Sequence, residues 1–289
     1  MHAGVSTSAT SLLFGGWHWE TGVALPLVAG GVAYTLGARA WNARSRRRVV
    51  PRWKAMAFVA GCAAVALALL SSIDEIAVNL FTAHMIQHEL LMALAAPLLV
   101  AAEPGVVMLW SLPRAARHRI GSFLSAPAVR RAWARLTRPF EAWLLHAAAI
   151  WVWHVPSLFQ AALTNETVHL AQHISFFGSG LLYWWAVLHP RRRATLGLSI
   201  VSLFGTSVQT AALGALLATS HVVWYPAYGA RGAAWGLTAL EDQQLAGLVM
   251  WIPAGFVYLV AALMVMRRWM QQSDWSLENA QQSYSRSTI

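Results

Sequence analysis

The pattern His-x-x-Gln-His occurs twice, as His84-Met85-Ile86-Gln87-His88 and His169-Leu170-Ala171-Gln172-His173, each near the start of a long apolar stretch. Residues four apart on a helix share a face, with Cβ atoms about 5–6 Å apart, so each pair can point two imidazoles at one metal ion. Two such helices side by side would offer four. Imidazole without thiolate suits copper, zinc, iron or nickel, and methionine adds a leaning towards Cu(I). Met92 is four residues beyond His88 and shares its face, whereas Met85 is turned about 100° from His84. Methionine in an apolar helix is more often filler than ligand, so these two favour copper only mildly.

Gln87 and Gln172 hold equal places in both motifs, beside the proposed metal face, where a side-chain amide can orient an imidazole. Glu89 is the carboxylate deepest in its apolar stretch. It fits either a group that offsets metal charge or a protonated, hydrogen-bonded glutamic acid. The lone Cys62 reads as a small buried hydrophobe, and one cysteine forms no internal disulfide.

The elements that carry these motifs follow from composition. Hydrophobic residues are 57% and charged residues 11% of 289, with a positive mean hydropathy; a soluble domain carries about a quarter charged residues. The chain therefore reads as an all-α, polytopic membrane helical bundle. Spans of roughly 20 apolar residues are expected at about 22–41, 53–72, 77–101, 141–161, 167–189, 196–220 and 243–266, seven transmembrane helices in a single membrane domain, with a tail over 267–289.

The net charge of +10 reflects topology rather than nucleic-acid binding. Arg39, Arg44, Arg46, Arg47, Arg48, Arg52 and Lys54 lie between the first two spans. Arg114, Arg117, Arg119, Arg130, Arg131, Arg135 and Arg138 lie between the third and fourth. Arg191, Arg192 and Arg193 follow the fifth, and Arg267, Arg268 and Arg286 the seventh, leaving Arg231 alone on the other side. The positive-inside rule then puts the N-terminus outside and the C-terminus in the cytoplasm. No cleavable signal peptide is evident in residues 1–21, which lack a basic start and a long apolar core, so the first span is expected to act as an anchor.

With this orientation both histidine pairs sit in the outer half of the bundle, on helices running the same way. His154 approaches from the fourth span, His221 closes the sixth, and Asp242, Gln243 and Gln244 open the seventh. Ionisable groups inside spans are costly and point to function by default. His154 and Asp242 are expected to complete or gate the site, with Gln243 and His221 accessory. His221 and His189 also suit a plain interfacial position, and His146 a hydrogen bond to a neighbouring helix; His2, His18 and His118 lie outside the spans. Two further segments stand out. Residues 112–139 mix arginines with Ile120, Phe123, Leu124 and Trp133, which suits either an amphipathic helix on an anionic leaflet or a solvated basic loop. Residues 221–241 carry Trp224, Tyr225, Tyr228 and Trp235, which read as an interfacial aromatic belt.

Two other classes remain open on the residues alone. A haem-binding electron-transfer protein could take one histidine from each pair, although two histidines four apart on one helix cannot bind opposite faces of one macrocycle. A copper permease would need polar groups continuing to the inner side, where only Ser202, Gln209, Thr210 and His146 are on offer. A di-iron site would bring more carboxylates. No nucleophile or acid–base pair is evident, and no enzymatic turnover is expected.

Several blocks together resemble a known family. Ala83-His84-Met85-Ile86-Gln87-His88 with Leu91-Met92 and Ala96-Pro97-Leu98-Leu99, then Trp153-His154-Val155-Pro156, then Asn165-Glu166-Thr167-Val168-His169 with Gln172-His173 and Trp184-Trp185, then Glu241-Asp242-Gln243-Gln244-Leu245-Ala246-Gly247, are similar to the polytopic CtaG family of cytochrome c oxidase assembly factors. That family is distinct from the single-span copper chaperone that shares its name. The resemblance implies copper handling at the outer face of a bacterial inner membrane during maturation of a haem-copper oxidase. The expected partners are an oxidase subunit, an extracytoplasmic copper chaperone and the lipid bilayer.

Overall fold

The computed structural model describes residues 20–45, 49–190, 193–229 and 231–287. His2 and His18, and Arg46, Arg47, Arg48, Arg191 and Arg192 of the charge pattern, lie outside the described residues. The described secondary structure is helical throughout: α1 (Thr21–Ala43), α2 (Arg52–Leu70), α3 (Ser72–Ala77), α4 (Phe81–Glu89), a π-helical turn (Leu90–Ala95), α5 (Ala96–Ala102), α6 (Pro104–Leu109), α7 (Arg114–Ser125), α8 (Pro127–Leu136), α9 (Pro139–Trp153), α10 (Pro156–Thr164), α11 (Glu166–Leu188), α12 (Arg193–Thr219) and α13 (Ala239–Ser287), with a 3₁₀ turn at Arg231–Trp235.

Five stretches are long and apolar enough to cross a bilayer: α1, α2, the run Phe81–Ala102, Thr195–Thr219 and Ala239–Gln271. A sixth arises if α9 and α10, bent by 75° to one another, count as one span. The helix α11 has the length to cross, but Glu166, His169, Gln172 and His173 fill its first two turns and lower its hydropathy. The molecule is thus a multi-pass membrane helical bundle.

Three boundaries differ from the sequence expectation. The span expected at 141–161 stops at Trp153, because Pro156 disfavours helical backbone at Val155 (φ −61°, ψ 124°) and its ring occupies the first turn of α10. The last helix does not end near 266 but runs to Ser287. The connection over 112–139 holds two amphipathic helices rather than one, parted at Ala126, whose extended backbone precedes Pro127.

The run Phe81–Ala102 explains its own π turn. Pro97 has no N–H to give to the carbonyl of Ala93 in α-helical register or of Met92 in π register. The indole Nε1 of Trp184 donates to the Met92 carbonyl instead, at 2.9 Å, which ties α11 to this run. Elsewhere α12 and α13 cross at Gly214 and Gly247; a Cβ on Gly247 would stand 2.5 Å from the Gly214 carbonyl oxygen. At the opposite end from the histidines, Glu103 (φ 48°) joins α5 to α6 and pairs with Lys54 at 2.9 Å and His189 at 3.0 Å. His189 is therefore held at its boundary by its ring nitrogen's contact with Glu103.

Candidate metal centre

The two His-x-x-Gln-His motifs lie on α4 and α11, and the fold brings them face to face. Helical spacing stacks His84 on His88 with ring centroids 4.3 Å apart, and His169 on His173 at 4.2 Å. Across the helices, His84 is 5.4 Å from His169 and 6.3 Å from His173, and His88 is 5.3 Å from His173. One ring nitrogen each of His84, His169 and His173 lie within 4.8 Å of one another. His88 adjoins this trio without belonging to it.

His84 and His88 are each 1% exposed, while His169 and His173 are partly buried. Buried polar atoms normally find a partner. Yet Nε2 of His84, His169 and His173, and both ring nitrogens of His88, are buried with no hydrogen-bond partner among the described residues. The donor set fits a metal ion: His84, His169 and His173 bring ring nitrogens within 4.8 Å of one another, with the unpartnered nitrogens of His88 beside them.

His154 caps α9 at the bend. Its Nδ1 is 2.7 Å from the Ile150 carbonyl oxygen, leaving a buried, unpartnered Nε2. It shares Phe159 (6.1 Å) and Phe176 (6.1 Å) as ring neighbours with His84 and His88, which lie 5.2 Å from Phe159 and 4.7 Å from Phe176 respectively. His154 thus shares its aromatic neighbours with His84 and His88 and is not one of the three residues whose ring nitrogens come within 4.8 Å.

Asp242 does not face the histidines. Its carboxylate accepts from the backbone N–H of Phe81 at 2.7 Å and of Thr82 at 2.9 Å, and from Thr82 Oγ1 at 2.7 Å. The first N–H groups of a helix lack intrahelical acceptors and favour an anion, so Asp242 caps α4 from a distant helix. In this arrangement its carboxylate holds the start of α4.

Gln87 likewise departs from its expected place beside the imidazoles, since Nε2 donates to the Ala68 carbonyl and to Asp74. Gln172 is fully buried with neither side-chain polar atom paired among the described residues. Met85 and Met92 pack in the core with Phe81, Phe159 and Phe176. Glu89 is partly buried and its Oε2 has no partner among the described residues. Gln243 latches the preceding loop, accepting from Trp224 N at 2.6 Å and donating to the Val222 carbonyl at 3.0 Å. His221 is exposed. His146 bonds Ser179 on α11 at 3.0 Å, the helix-to-helix contact expected of it.

The loop expected to form an aromatic belt is instead partly a plug. Tyr225 (1% exposed) and Tyr228 (3%) close over Phe81 and Phe159. Tyr225 donates to the His154 carbonyl at 2.8 Å and Tyr228 to that of Ala77 at 3.3 Å. Sequence reasoning missed Asp74, Phe159 and Tyr225; the break at Ser71, whose Oγ caps α3 by accepting from Ile73 N, was the available signal for the first.

The fold and its histidines define a polytopic membrane protein with a buried, metal-competent imidazole cluster. The chain belongs to the cytochrome c oxidase caa3 assembly factor family (Caa3_CtaG), whose model matches residues 32–272. Among curated proteins it is similar to uncharacterized proteins of Mycobacterium bovis and Mycobacterium tuberculosis, each 26% identical over 254 residues, covering 84% of this chain and 38% of the relative. An uncharacterized protein of Mycobacterium leprae is 22% identical over 268 residues, 89% of this chain and 40% of its own length. The chain thus spans about two fifths of these relatives. No solved structure matches it.

Proposed function

We propose that this chain binds copper, as Cu(I), through His84, His169 and His173 with His88 adjoining, and supports its delivery to a haem-copper oxidase under assembly. The observation that carries the reading is the set of buried imidazole nitrogens without partners, contributed by two helices and turned towards one another. Copper is cargo here, and the chain is a carrier rather than an enzyme. Imidazoles without thiolate hold Cu(I) less tightly than sulfur would, which suits an ion that must be passed on.

Seven spans complete the topology, with α11 crossing despite its polar start. The charge asymmetry of the sequence supports an outward N-terminus, a cytoplasmic C-terminus and a histidine site on the extracytoplasmic side of a bacterial plasma membrane. An extracytoplasmic copper chaperone as donor and an oxidase subunit as acceptor follow from that placement and from the family's role. Haem is the poorer occupant, because rings packed 4.2–6.3 Å apart suit a compact ion better than a porphyrin that would have to part them. A permease is also disfavoured: the buried hydroxyls of Ser199, Ser202, Thr206 and Thr210 each donate within their own helix, so they offer little to a passing ion.

The test is elemental analysis of purified wild type beside a His84→Ala/His88→Ala/His169→Ala/His173→Ala variant after Cu(I) loading, with oxidase maturation followed in cells. Copper in the wild type alone, with maturation lost in the variant, is expected. Equal copper in both refutes the site, and normal maturation by a copper-free variant refutes the role.

A further inference from the structure

The end of the molecule opposite the histidines holds a cavity that the metal centre does not use. Its volume is about 970 Å³, at the upper end of the range of about 300–1,000 Å³ for small-molecule sites. Leu27 of α1, Phe58 of α2 and Leu181 of α11 stand on its apolar walls, together with Leu124 of α7 and Val129 and Trp133 of α8. Neither α7 nor α8 buries a single residue. Leu124 and Trp133 are exposed, and α8 meets α11 through Trp133 on Trp185, with ring centroids 5.5 Å apart. Both helices thus turn apolar side chains to a space that the described residues leave open, and an apolar face of that kind marks an interaction site.

Charge says what the occupant is. The charged residues on the lining are Glu103 and Arg130. Glu103 is taken up by Lys54 at 2.9 Å and His189 at 3.0 Å. Arg130 is exposed and meets no carboxylate among the described residues. Around it, residues 104–140 carry seven arginines and no Asp or Glu. The cavity therefore combines apolar walls with an unpaired guanidinium. Guanidinium groups match phosphate oxygens, and basic pockets between membrane helices take anionic head groups.

We propose that this cavity binds one anionic phospholipid of the surrounding bilayer, with its acyl chains between α1, α2 and α11 and its phosphate on Arg130. The lipid fastens α7 and α8 to the bundle, which they otherwise touch with little buried surface. Copper plays no part in this site.

The test uses the full chain purified in mild detergent, delipidated, and incubated with equal amounts of phosphatidylglycerol and phosphatidylcholine carrying the same acyl chains. Native mass spectrometry counts the lipid each chain retains. One phosphatidylglycerol per chain is expected, in preference to phosphatidylcholine. Arg130→Gln should weaken that preference about fivefold, the effect of one basic residue near an anionic head group. Gly178 also lines the cavity, and a Cβ there would meet nothing within 4 Å, so Gly178→Leu fills the space without a clash and should abolish retention. Cys62, a free thiol, stands on the same lining. In the wild type its labelling by a maleimide should slow when phosphatidylglycerol is added. Equal retention of the two lipids, or a preference untouched by Arg130→Gln, overturns the anionic site. Full retention by Gly178→Leu, with Cys62 labelling indifferent to lipid, puts the lipid on the outer surface and overturns the cavity. Retention of neither lipid by the wild type overturns both.

Discussion

Asp242 presents both carboxylate oxygens to the start of α4, and the two readings of that residue, ligand or cap, separate under substitution. The carboxylate is 1% exposed and accepts two backbone N–H bonds and one hydroxyl bond. Hydrogen bonds to a charged group contribute about 1.5–3 kcal/mol each, and losing an N-cap side chain costs up to about 2 kcal/mol. Asp242→Asn keeps one acceptor oxygen and is expected to cost about 1–2 kcal/mol at this end of the helix. Asp242→Ala leaves two buried donors bare and is expected to cost about 3–5 kcal/mol. With a factor of ten per 1.4 kcal/mol, amide hydrogen exchange at residues 81–82 should quicken about tenfold in the first variant and at least about a hundredfold in the second. Mass spectrometry of the peptide covering the start of α4 reads both. Copper affinity in Asp242→Asn should stay close to wild type, because the histidines keep their rings and only their helix start loosens. Unchanged exchange together with lost copper would refute this account and return Asp242 to the ligand set.

Further substitutions test other parts of the structure. Since His88 adjoins the trio without joining it, His88→Ala should weaken Cu(I) binding by about 10–100-fold, as loss of a supporting group does, while His84→Ala should abolish it in a competition titration. Burial works against the Glu103 carboxylate, but the hydrogen bonds and charges of Lys54 and His189 outweigh it and hold its pKa below the usual glutamate value. Its stabilising contribution is therefore present above the unfolded value of about 4.3 and is lost as pH falls through the lower folded one. Glu103→Gln should flatten the acid limb of a pH series of unfolding midpoints. Gly247→Ala places a methyl group 2.5 Å from the Gly214 carbonyl oxygen and should cost about 1–3 kcal/mol by overpacking, seen as a lower thermal midpoint in detergent. Gly214→Ala meets the same crossing from the other side at 2.6 Å, so the two effects should not add.

The sequence by itself determined the class of the protein and the makings of its site. Long apolar runs, one-sided arginines and the spacing of His84 to His88 and His169 to His173 are local properties. A helix turns them directly into spans and shared faces. The break before Pro156 acts through the proline's own ring on Val155, yet the apolar run over 141–161 hid it from a reading based on span length. Only the tertiary structure decided that the two histidine pairs meet. It also decided that the Asp242 carboxylate caps the start of α4, that Gln87 turns to Ala68 and Asp74, and that Tyr225 and Tyr228 fold inward over Phe81. Each of those outcomes depends on which partner, as far as 161 residues away in the chain for Asp242, reaches a polar atom first. A buried donor must be satisfied by whatever the packing brings to it, and packing is settled by the whole bundle rather than by any one segment.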